Sequence, residues 1–418
     1  MRASFDAAVA AADPLRVVAA HLPQPPTGRV IVVGAGKAAA SMALAVERAW
    51  PDVALEGLVI TRYAHGAPTQ RIRVVEAGHP VPDEAGEVAA RDIMRIVSQL
   101  QRDELLLVLL SGGGSSLLSL PVTDVPMSAL KAMTAALLAS GAPIGEMNVV
   151  RKHLSQIQGG RLAAAAAARG AHVLALIISD VTGDAPTDIA SGPCAPDPST
   201  YAEALGVFSR WEVAAPDDVS AWLRRGASGD ANETPKPGDP LFERVENRVI
   251  ATAHRSLEAA AEVFRAAGIT PVLLGDTVTG EAREVARVYA AVVREIRAYN
   301  QPFTRPVALI SGGECTVTLS ERKNGRGGRC TEFLLSLASE LGRVPDVYAL
   351  ACDTDGIDGS EDNAGAWLAS NLVEEAAASA RAALDRHDSY GFFSAIGHLI
   401  VTGPTRTNVN DYRVILIP

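Results

Sequence analysis

Three short glycine-rich stretches have residue types and a spacing that suit the binding of a phosphate group. They are Gly34-Ala35-Gly36-Lys37, Ser111-Gly112-Gly113-Gly114-Ser115-Ser116 and Ser311-Gly312-Gly313-Glu314. Each follows a short apolar run typical of a buried strand, and glycine turns at such places expose backbone N–H groups that attract anions. Lys37 adds a positive point charge to the first turn. We predict that all three stretches bind phosphate; a tight turn without a ligand is the alternative for each.

Two acidic stretches also follow apolar runs. They are Ser179-Asp180-Val181-Thr182-Gly183-Asp184 and Cys352-Asp353-Thr354-Asp355-Gly356. Carboxylates at the end of a strand can hold Mg²⁺ or orient a substrate hydroxyl. We therefore predict a magnesium site whose ligands come from these acids: Asp180, Asp184, Asp353 and Asp355. The alternative is that these aspartates only form turns and helix caps.

Positive charge is concentrated at two further places. Gly325-Arg326-Gly327-Gly328-Arg329 opens a predicted helix, where an arginine can neutralise phosphoryl oxygens or hold a carboxylate by two hydrogen bonds. The densest positive cluster of the chain consists of Asn148, Arg151, Lys152 and His153. Solvated side chains on a surface loop and at an exposed helix start are the alternatives.

Several enzyme classes are excluded because their motifs are missing. The only Gly-Lys dipeptide, Gly36-Lys37, is followed by Ala38, so there is no Walker-type phosphate loop. The chain also has no His-Arg-Asp or Asp-Phe-Gly motif of protein kinases and no G-x-S-x-G motif of hydrolases. A loose dinucleotide pattern runs from Gly34 to Ala39, but Thr61 and Arg62 stand where the ribose-binding acid belongs. The glycine turns, acids and cations together favour phosphoryl transfer with Mg²⁺.

The elements that must position these residues alternate along the chain. Strand-like runs at residues 29–33, 57–61, 72–76, 105–110 and 172–179 are separated by Ala-rich helical stretches, which predicts a parallel sheet covered by helices on both faces. Turn formers dominate residues 212–240, and the alternation resumes from residue 248 to residue 417. We predict two α/β domains, residues 1–238 and residues 239–418; a long surface loop within one domain is the alternative for residues 212–240.

Composition places the protein in a broad class. The 418 residues are 48% hydrophobic and carry a formal net charge of −10, which fits a multi-domain globular protein and argues against nucleic acid or an anionic membrane as partner. The four cysteines form no CxxC pair, so we expect a reducing compartment. The first residues do not have the pattern of a secretory signal. The longest apolar runs are too short to cross a bilayer. We expect a soluble, cytoplasmic protein.

The motifs, taken in order, resemble those of the class II glycerate kinases (glycerate 2-kinases), whose C-terminal part is called the MOFRL domain. The resemblance covers nearly the whole chain. Besides the stretches above, it rests on these segments: Asn148-Val149-Val150-Arg151-Lys152-His153-Leu154-Ser155, Ser191-Gly192-Pro193, Gly280-Glu281-Ala282-Arg283-Glu284, Asp353-Thr354-Asp355-Gly356-Ile357-Asp358-Gly359 and Thr402-Gly403-Pro404-Thr405-Arg406-Thr407-Asn408-Val409-Asn410.

This resemblance implies transfer of the ATP γ-phosphoryl group to the 2-hydroxyl of D-glycerate, with ATP and Mg²⁺ as cofactors. It implies a Rossmann-like N-terminal domain, a second α/β domain and an active site in the cleft between them. Lys37 and Arg329 would bind phosphate or substrate, and Asp180 would be a catalytic or metal-linked acid. Asn148 with Arg151, or else Arg329, would bind the substrate and hold its carboxylate. A homodimer is a candidate assembly.

Two positions depart from the family pattern. Cys330-Thr331 stands where Asn-Gln is usual, and Gln158 stands where Lys is usual. We expect altered substrate preference if these side chains touch the ligand. Two other functions stay open: an NAD(P)H-dependent hydroxypyruvate reductase and a non-catalytic sensor of small anions.

Overall fold

The computed structural model describes residues 1–319, 325–342, 344–369 and 372–418. The chain forms two compact units. The N-terminal unit consists of residues 14–250, and the C-terminal unit consists of residues 1–13 together with residues 251–418. In the described ranges, no helix is both long and apolar enough to cross a membrane.

The helices are numbered in chain order. They are α1 (Arg2–Ala11), α2 (Pro14–Val17), α3 (Ala39–Ala49), α4 (Glu84–Val97), α5 (Gly114–Leu117), α6 (Met127–Ser140), α7 (Ile144–His153), α8 (Arg161–Ala168), α9 (Tyr201–Arg210), α10 (Asp217–Ala227), α11 (Ala253–Ala266), α12 (Ala282–Tyr299), α13 (Arg329–Leu341), α14 (Leu372–Asp385) and α15 (Ser389–Ala395).

The strands are numbered in the same way. They are β1 (Val30–Ala35), β2 (Leu55–Arg62), β3 (Ile72–Ala77), β4 (Leu105–Leu110), β5 (His172–Ile178), β6 (Val245–Ala251), β7 (Thr270–Gly275), β8 (Gly280–Glu281), β9 (Val307–Ser311), β10 (Cys315–Thr316), β11 (Tyr348–Asp353), β12 (Gly365–Ala369), β13 (Leu399–Ile400) and β14 (Asp411–Ile417).

The sheet of the N-terminal unit has the strand order β3-β2-β1-β4-β5-β6. Strands β1 to β5 are parallel, and β1 lies between β2 and β4. Every residue of β1 is buried, because the apolar strands pack into a core with helices such as α4 and α8. The α/β class and the flanked parallel sheet predicted from the sequence are confirmed.

The sheet of the C-terminal unit is mixed. Its order is β13-β12-β11-β14-β9-β7, with β14 antiparallel to both β11 and β9, whereas β7 and β9 are parallel. Helix α13 is buried along most of its length, and its apolar side chains form the core of this unit with α12. Strand β12 was not predicted, since it is a short run that begins with glycine and carries no alternating pattern.

The division of the structure differs from the predicted boundary at 238/239. Strand β6 extends the first sheet beyond β5, so the chain leaves the N-terminal unit only at residue 250. Residues 1–13 join the other unit, where Phe5 of α1 packs with Leu257 and Tyr412. Part of the turn-rich stretch forms helix α10, which buries Val219 and Leu223. Its first turn is acidic and its last turn is basic, as the helix dipole favours.

Candidate active site

The strand order of the N-terminal unit reverses between β1 and β4. From β1 the chain continues to β2 and β3 on one side, and β4, β5 and β6 lie on the other. In open parallel sheets, ligands bind beyond the carboxyl ends of the strands at such a reversal. Lys37 follows β1 and the glycine turn from Ser111 to Gly114 follows β4, so the two predicted phosphate turns lie at this point.

The two turns are hydrogen-bonded to each other. The Lys37 N–H donates to the Gly112 carbonyl at 2.9 Å, and the Ala38 N–H donates to Ser111 Oγ at 2.9 Å. A Cβ on Gly34 would lie 2.1 Å from the Leu109 carbonyl oxygen, and one on Gly36 would lie 2.2 Å from Ser111 Oγ. Glycine is therefore required here for the close approach of β4, which accounts for both residues without a dinucleotide. Phosphate binding by Gly34 and Gly36 stays a prediction.

The turn after β4 places two side chains together. Gly113 has φ +79°, and a Cβ at this position would lie 2.7 Å from His79 Nε2 and 3.4 Å from Lys37 Cγ. The side chains of Lys37 and His79 therefore lie directly against the turn. His79 belongs to none of the motifs named above, but its position two residues after β3 (Ile72–Ala77) is the signal that points to this edge of the sheet.

A chain of polar contacts continues from the turn to helix α7. Ser115 Oγ lies 2.8 Å from Ser191 Oγ, and Ser191 donates to Asn148 Oδ1 at 3.2 Å. Arg151 Nη1 donates to the same Asn148 oxygen at 3.5 Å. Ser191 has φ +54°, a conformation that costs about 1–3 kcal/mol in a residue with a side chain. Strain of this kind is concentrated at functional sites. Here the contacts with Ser115 and Asn148 hold the Ser191 hydroxyl between the glycine turn and α7.

A small pocket lies beside this chain of contacts. Its polar lining consists of Ser115, Ser116, Ser119, Lys131, Thr134, Arg151, Ser155 and Gln158. Gln158 Nε2 donates to the Ser115 carbonyl at 2.8 Å and so ties the end of the glycine turn to the segment before α8. The departure at Gln158 therefore lies in the wall of a pocket. Lys131, Thr134 and Ser119 were missed because they belong to no motif.

The two acids predicted after β5 lie at the expected place in the chain. Asp180 and Asp184 follow β5 (His172–Ile178), the strand next to β4, and both are half-buried. Asp184 has φ +53°, as aspartate in a turn tolerates. In the described part of the chain, no group of three or more His, Cys, Asp or Glu side chains forms a metal site. The magnesium ligands therefore stay a prediction.

In the C-terminal unit, Arg329 pairs with three carboxylates. Its Nε donates to Asp411 at 2.8 Å, one Nη to Asp353 at 2.8 Å, and the other to Glu314 at 2.5 Å. Burial alone would lower the pKa of the guanidinium, but Asp411, Asp353 and Glu314 raise it well above its usual value. Arg329 is therefore permanently charged, and its ion pairs connect the ends of β9, β11 and β14. The predicted substrate role of Arg329 would use its remaining N–H groups.

The carbonyl groups of the glycine turn after β9 accept hydrogen bonds from another arginine. Arg413 is buried and donates to the Gly312 carbonyl at 2.8 Å and to the Gly313 carbonyl at 3.3 Å. The Gly312 N–H donates to the Gly275 carbonyl at 2.9 Å. These contacts give the turn from Ser311 to Glu314 a structural role, and phosphate binding by it stays a prediction.

Asp355 takes part in the turn that follows β11. Its N–H donates to Asp353 Oδ1 at 2.9 Å, and its own carboxylate accepts from the Ile357 N–H at 2.8 Å. Asp353 and Asp355 are both buried and engaged within this unit, so turn chemistry accounts for them as well as a metal would.

The second departure from the family pattern is buried. Cys330 and Thr331 lie in the first turn of helix α13, and their N–H groups donate to the Asp358 carboxylate at 2.9 and 2.8 Å. A Cβ on Gly328 would lie 2.2 Å from Asp358 Oδ1, so only glycine leaves room for this cap. Burial raises the pKa of Asp358 to about 6, although its hydrogen bonds to Cys330 and Thr331 act in the opposite direction. Cys330 and Thr331 face the core of this unit.

Comparison with known proteins assigns the chain to a family. One family model, described as "Domain of unknown function (DUF4147)", matches residues 1–224, and the MOFRL family model matches residues 307–411. "Glycerate 2-kinase" of Pyrococcus horikoshii is 38% identical over 93% of this chain and 88% of its own length. The crystal structure of glycerate kinase from Thermotoga maritima superposes with a TM-score of 0.86 at 37% identity, covering 99% of this chain and 98% of the other. The chain belongs to the glycerate 2-kinase family.

Membership of the glycerate 2-kinase family confirms the resemblance seen in the motifs. A further relative, from Agrobacterium vitis, is 50% identical over all of this chain and 94% of its own length and carries the name "Putative hydroxypyruvate reductase". The names of relatives in the glycerate 2-kinase family thus point to two reactions, phosphorylation of glycerate and reduction of hydroxypyruvate. The geometry of the glycine turn at the end of β1 helps to choose between them.

Proposed function

We propose that this protein is an ATP-dependent D-glycerate 2-kinase. It transfers the γ-phosphoryl group of ATP to the 2-hydroxyl of D-glycerate and gives 2-phospho-D-glycerate and ADP. The observation that carries the proposal is the group of side chains at the reversal point of the first sheet. There Lys37 and His79 lie against a glycine turn, and Asn148 with Arg151 is joined to that turn through Ser191. Two relatives named as glycerate kinases support the substrate.

Each residue has a part in this chemistry. Lys37 neutralises negative charge on the transferring phosphoryl group, which is the main task of a protein in phosphoryl transfer. Asp180 orients the 2-hydroxyl and accepts its proton as the oxygen bonds to the γ-phosphorus and the bond to ADP breaks. Arg151 or Arg329 holds the substrate carboxylate. The action of Lys37 and Arg329 on one substrate, in a cleft between domains, stays a prediction.

Magnesium is proposed as the companion of ATP. When bound, Mg²⁺ neutralises phosphate oxygens, and it usually takes only one or two protein carboxylates. Asp180 fits this requirement, because it is a half-buried carboxylate at the edge of the sheet that carries the phosphate turn. Asp353 fits less well, since Arg329 already engages its carboxylate at 2.8 Å.

The reductase is the competing function, and the name of the Agrobacterium vitis relative favours it. Its structural basis would be the dinucleotide pattern at Gly34 and Gly36, in which a glycine lets the backbone approach a pyrophosphate. Here atoms of Leu109 and Ser111 occupy the positions of a Cβ on the two glycines, so the approach of β4 already accounts for both. In addition, Thr61 and Arg62 stand where the ribose-binding acid belongs. The kinase is therefore the better supported function.

One assay separates the two reactions. D-glycerate and ATP are incubated with the protein, ADP is followed by a coupled reaction, and the product is identified as the 2- or the 3-phosphate. We expect the 2-phosphate. Oxidation of NADH or NADPH by hydroxypyruvate, without ADP formation from glycerate, would contradict the kinase and support the reductase. Binding of D-glycerate or phosphate without turnover would support a sensor.

We also propose that the protein works in a reducing compartment, the cytoplasm. All four cysteines are buried free thiols, and burial raises the pKa of Cys330 and Cys352 well above the usual value. Such thiols do not react readily with disulfides. The homodimer stays a prediction.

A further inference from the structure

The pocket beside the glycine turn has two cations and no acid in its lining. Lys131 comes from helix α6 and Arg151 from helix α7, and the other polar lining residues are serines, one threonine and one glutamine. Within the described ranges, neither cation lies within 4 Å of a carboxylate oxygen. The acid that acts on Lys131 from a greater distance is Asp83, which is held by the Gly78 and Gly86 N–H groups.

Among the residues that the structure describes, Arg151 has no ionic partner. Burial lowers the pKa of its guanidinium. The hydrogen bond to Asn148 Oδ1, at 3.5 Å, is long and uses one of five N–H groups. A cation removed from water without an anion is destabilising, so the arrangement favours binding of an anion from outside.

The hydroxyl groups of the pocket narrow the class of anion. Ser116 donates to the Gly113 carbonyl at 3.2 Å and Thr134 donates to the Leu130 carbonyl at 2.9 Å. Because each hydroxyl has a single proton, these two oxygens can only accept a hydrogen bond from a ligand in the pocket. Acceptors suit the hydroxyl group of a hydroxy acid and do not suit a phosphate, whose oxygens are themselves mainly acceptors.

The size of the pocket agrees with a small ligand group. Its volume of about 30 Å³ corresponds to roughly two water-sized positions, because one water occupies about 10–15 Å³ on this scale. A carboxylate has two oxygens and fits such a space. A purine ring does not.

We propose that Lys131 and Arg151 together form the carboxylate subsite for the acceptor, with the hydroxyls of Ser116 and Thr134 turned to a hydroxyl of the hydroxy acid. This inference rests on the proposed kinase function and adds Lys131 as a residue that determines specificity. It also selects Arg151 over Arg329 as the arginine that meets the carboxylate.

The test measures binding by calorimetry, without turnover, for D-glycerate, inorganic phosphate and ADP as separate ligands. In Lys131→Met we expect the Kd for D-glycerate to rise by about 10-fold or more, because a charge-assisted hydrogen bond is lost. Lys131→Arg should restore most of the affinity, and the Kd for ADP should stay unchanged. Arg91→Met, which removes an equal charge from the exposed face of α4, should bind D-glycerate as the wild type does.

Three results would overturn the inference. One is an unchanged Kd for D-glycerate in folded Lys131→Met, while the wild type phosphorylates D-glycerate normally. The kinase function would then be supported and the proposed subsite would be wrong. Another is a loss of phosphate or ADP affinity with D-glycerate binding intact, which would make the pocket a phosphate site. The third is an equal loss in Arg91→Met, which would show a general charge effect. A wild type that neither binds nor phosphorylates D-glycerate would instead contradict the proposed function.

Arg151→Met provides a second measurement of the Kd for D-glycerate, provided that its melting temperature matches that of the wild type.

Discussion

Lys37 follows β1, and its side chain lies against the glycine turn that follows β4, where we propose that a phosphate binds. In Lys37→Ala we expect kcat/KM for ATP and D-glycerate to fall on the order of 10²-fold or more, because a donor aimed at transition-state charge is removed. Steady-state kinetics measure this change. Turnover close to the wild type would remove Lys37 from the chemistry, and Arg91→Met again serves as a control for loss of charge.

Asp358 predicts a dependence of stability on pH. Its pKa is about 6 in the folded protein and 3.8 as an ordinary carboxyl, so protonation favours the folded state. The contribution of protonated Asp358 to stability is therefore complete below pH 4 and is lost as the pH rises through 6. In Asp358→Asn this dependence should vanish. The difference in unfolding free energy between wild type and variant should change by about 2 kcal/mol between pH 4 and pH 7.

Urea unfolding of both proteins at several pH values checks this prediction. A wild type and a variant whose unfolding free energies run parallel across the range would show that Asp358 titrates as an ordinary carboxyl. The experiment also tests whether the cap of α13 is held by a neutral or a charged group.

At the scale of the elements, helix α7 is fixed by a buried ion pair next to the candidate site. Lys152 Nζ donates to Asp197 Oδ1 at 2.7 Å, and both side chains are almost fully buried. Ser199 Oγ donates to the same Asp197 oxygen at 2.7 Å. Burial alone would raise the pKa of Asp197, but Lys152 and Ser199 hold it below its usual value. This pair holds the helix that presents Asn148 and Arg151.

Lys152→Met should lower the unfolding free energy by about 3–5 kcal/mol, because it leaves the Asp197 charge buried and unpaired. The double variant Lys152→Met with Asp197→Leu should be more stable than the single variant, since no charge is then stranded. Urea denaturation measures both. If the double variant were as unstable as the single one, packing rather than charge would explain the loss.

Much of the element pattern could be predicted from the sequence. The apolar run at residues 105–110 is β4 as predicted, and β1 extends past the predicted run through Gly34 because that glycine lets β4 approach. The contact between Lys37 and the turn from Ser111 to Gly114 follows from the strand order, since the carboxyl ends of neighbouring parallel strands lie at one edge of the sheet.

Other parts of the site could not be predicted. Arg329 meets Asp411 across 82 residues because β14 (Asp411–Ile417) inserts antiparallel between β9 and β11, and no local pattern encodes that pairing. Lys131 lies in the middle of a helix with no motif around it, so only the packing of α6 beside α7 reveals its place in the pocket.

At the scale of the whole molecule, the first residues of the chain belong to the core of the C-terminal unit. Phe5 is buried against Tyr412, with the two ring centroids 6.0 Å apart, and Ser4 Oγ lies 2.7 Å from Tyr412 Oη. Thr407 donates to the Ala12 carbonyl at 2.7 Å. The C-terminal unit therefore depends on a segment that lies far away along the sequence.

Phe5→Ala should destabilise the C-terminal unit by about 3–5 kcal/mol through the cavity that it leaves. Hydrogen exchange of the full-length protein measures the change. Amides of α11 and β14 should exchange faster, whereas amides of β1 and β4 should keep their protection. Faster exchange in both units to the same degree would mean that the two units unfold as one.

Strand β14 ends at Ile417, and it lies inside its sheet, hydrogen-bonded to β11 on one side and to β9 on the other. On the ribosome, the N-terminal unit is complete once residue 250 has emerged, whereas the second sheet must wait until residues 411–417 of β14 have been made. Until then β9 and β11 each have an unpaired side that another chain can join. Nascent chains that stop before Asp411 should therefore carry a folded first unit and a protease-sensitive, aggregation-prone remainder.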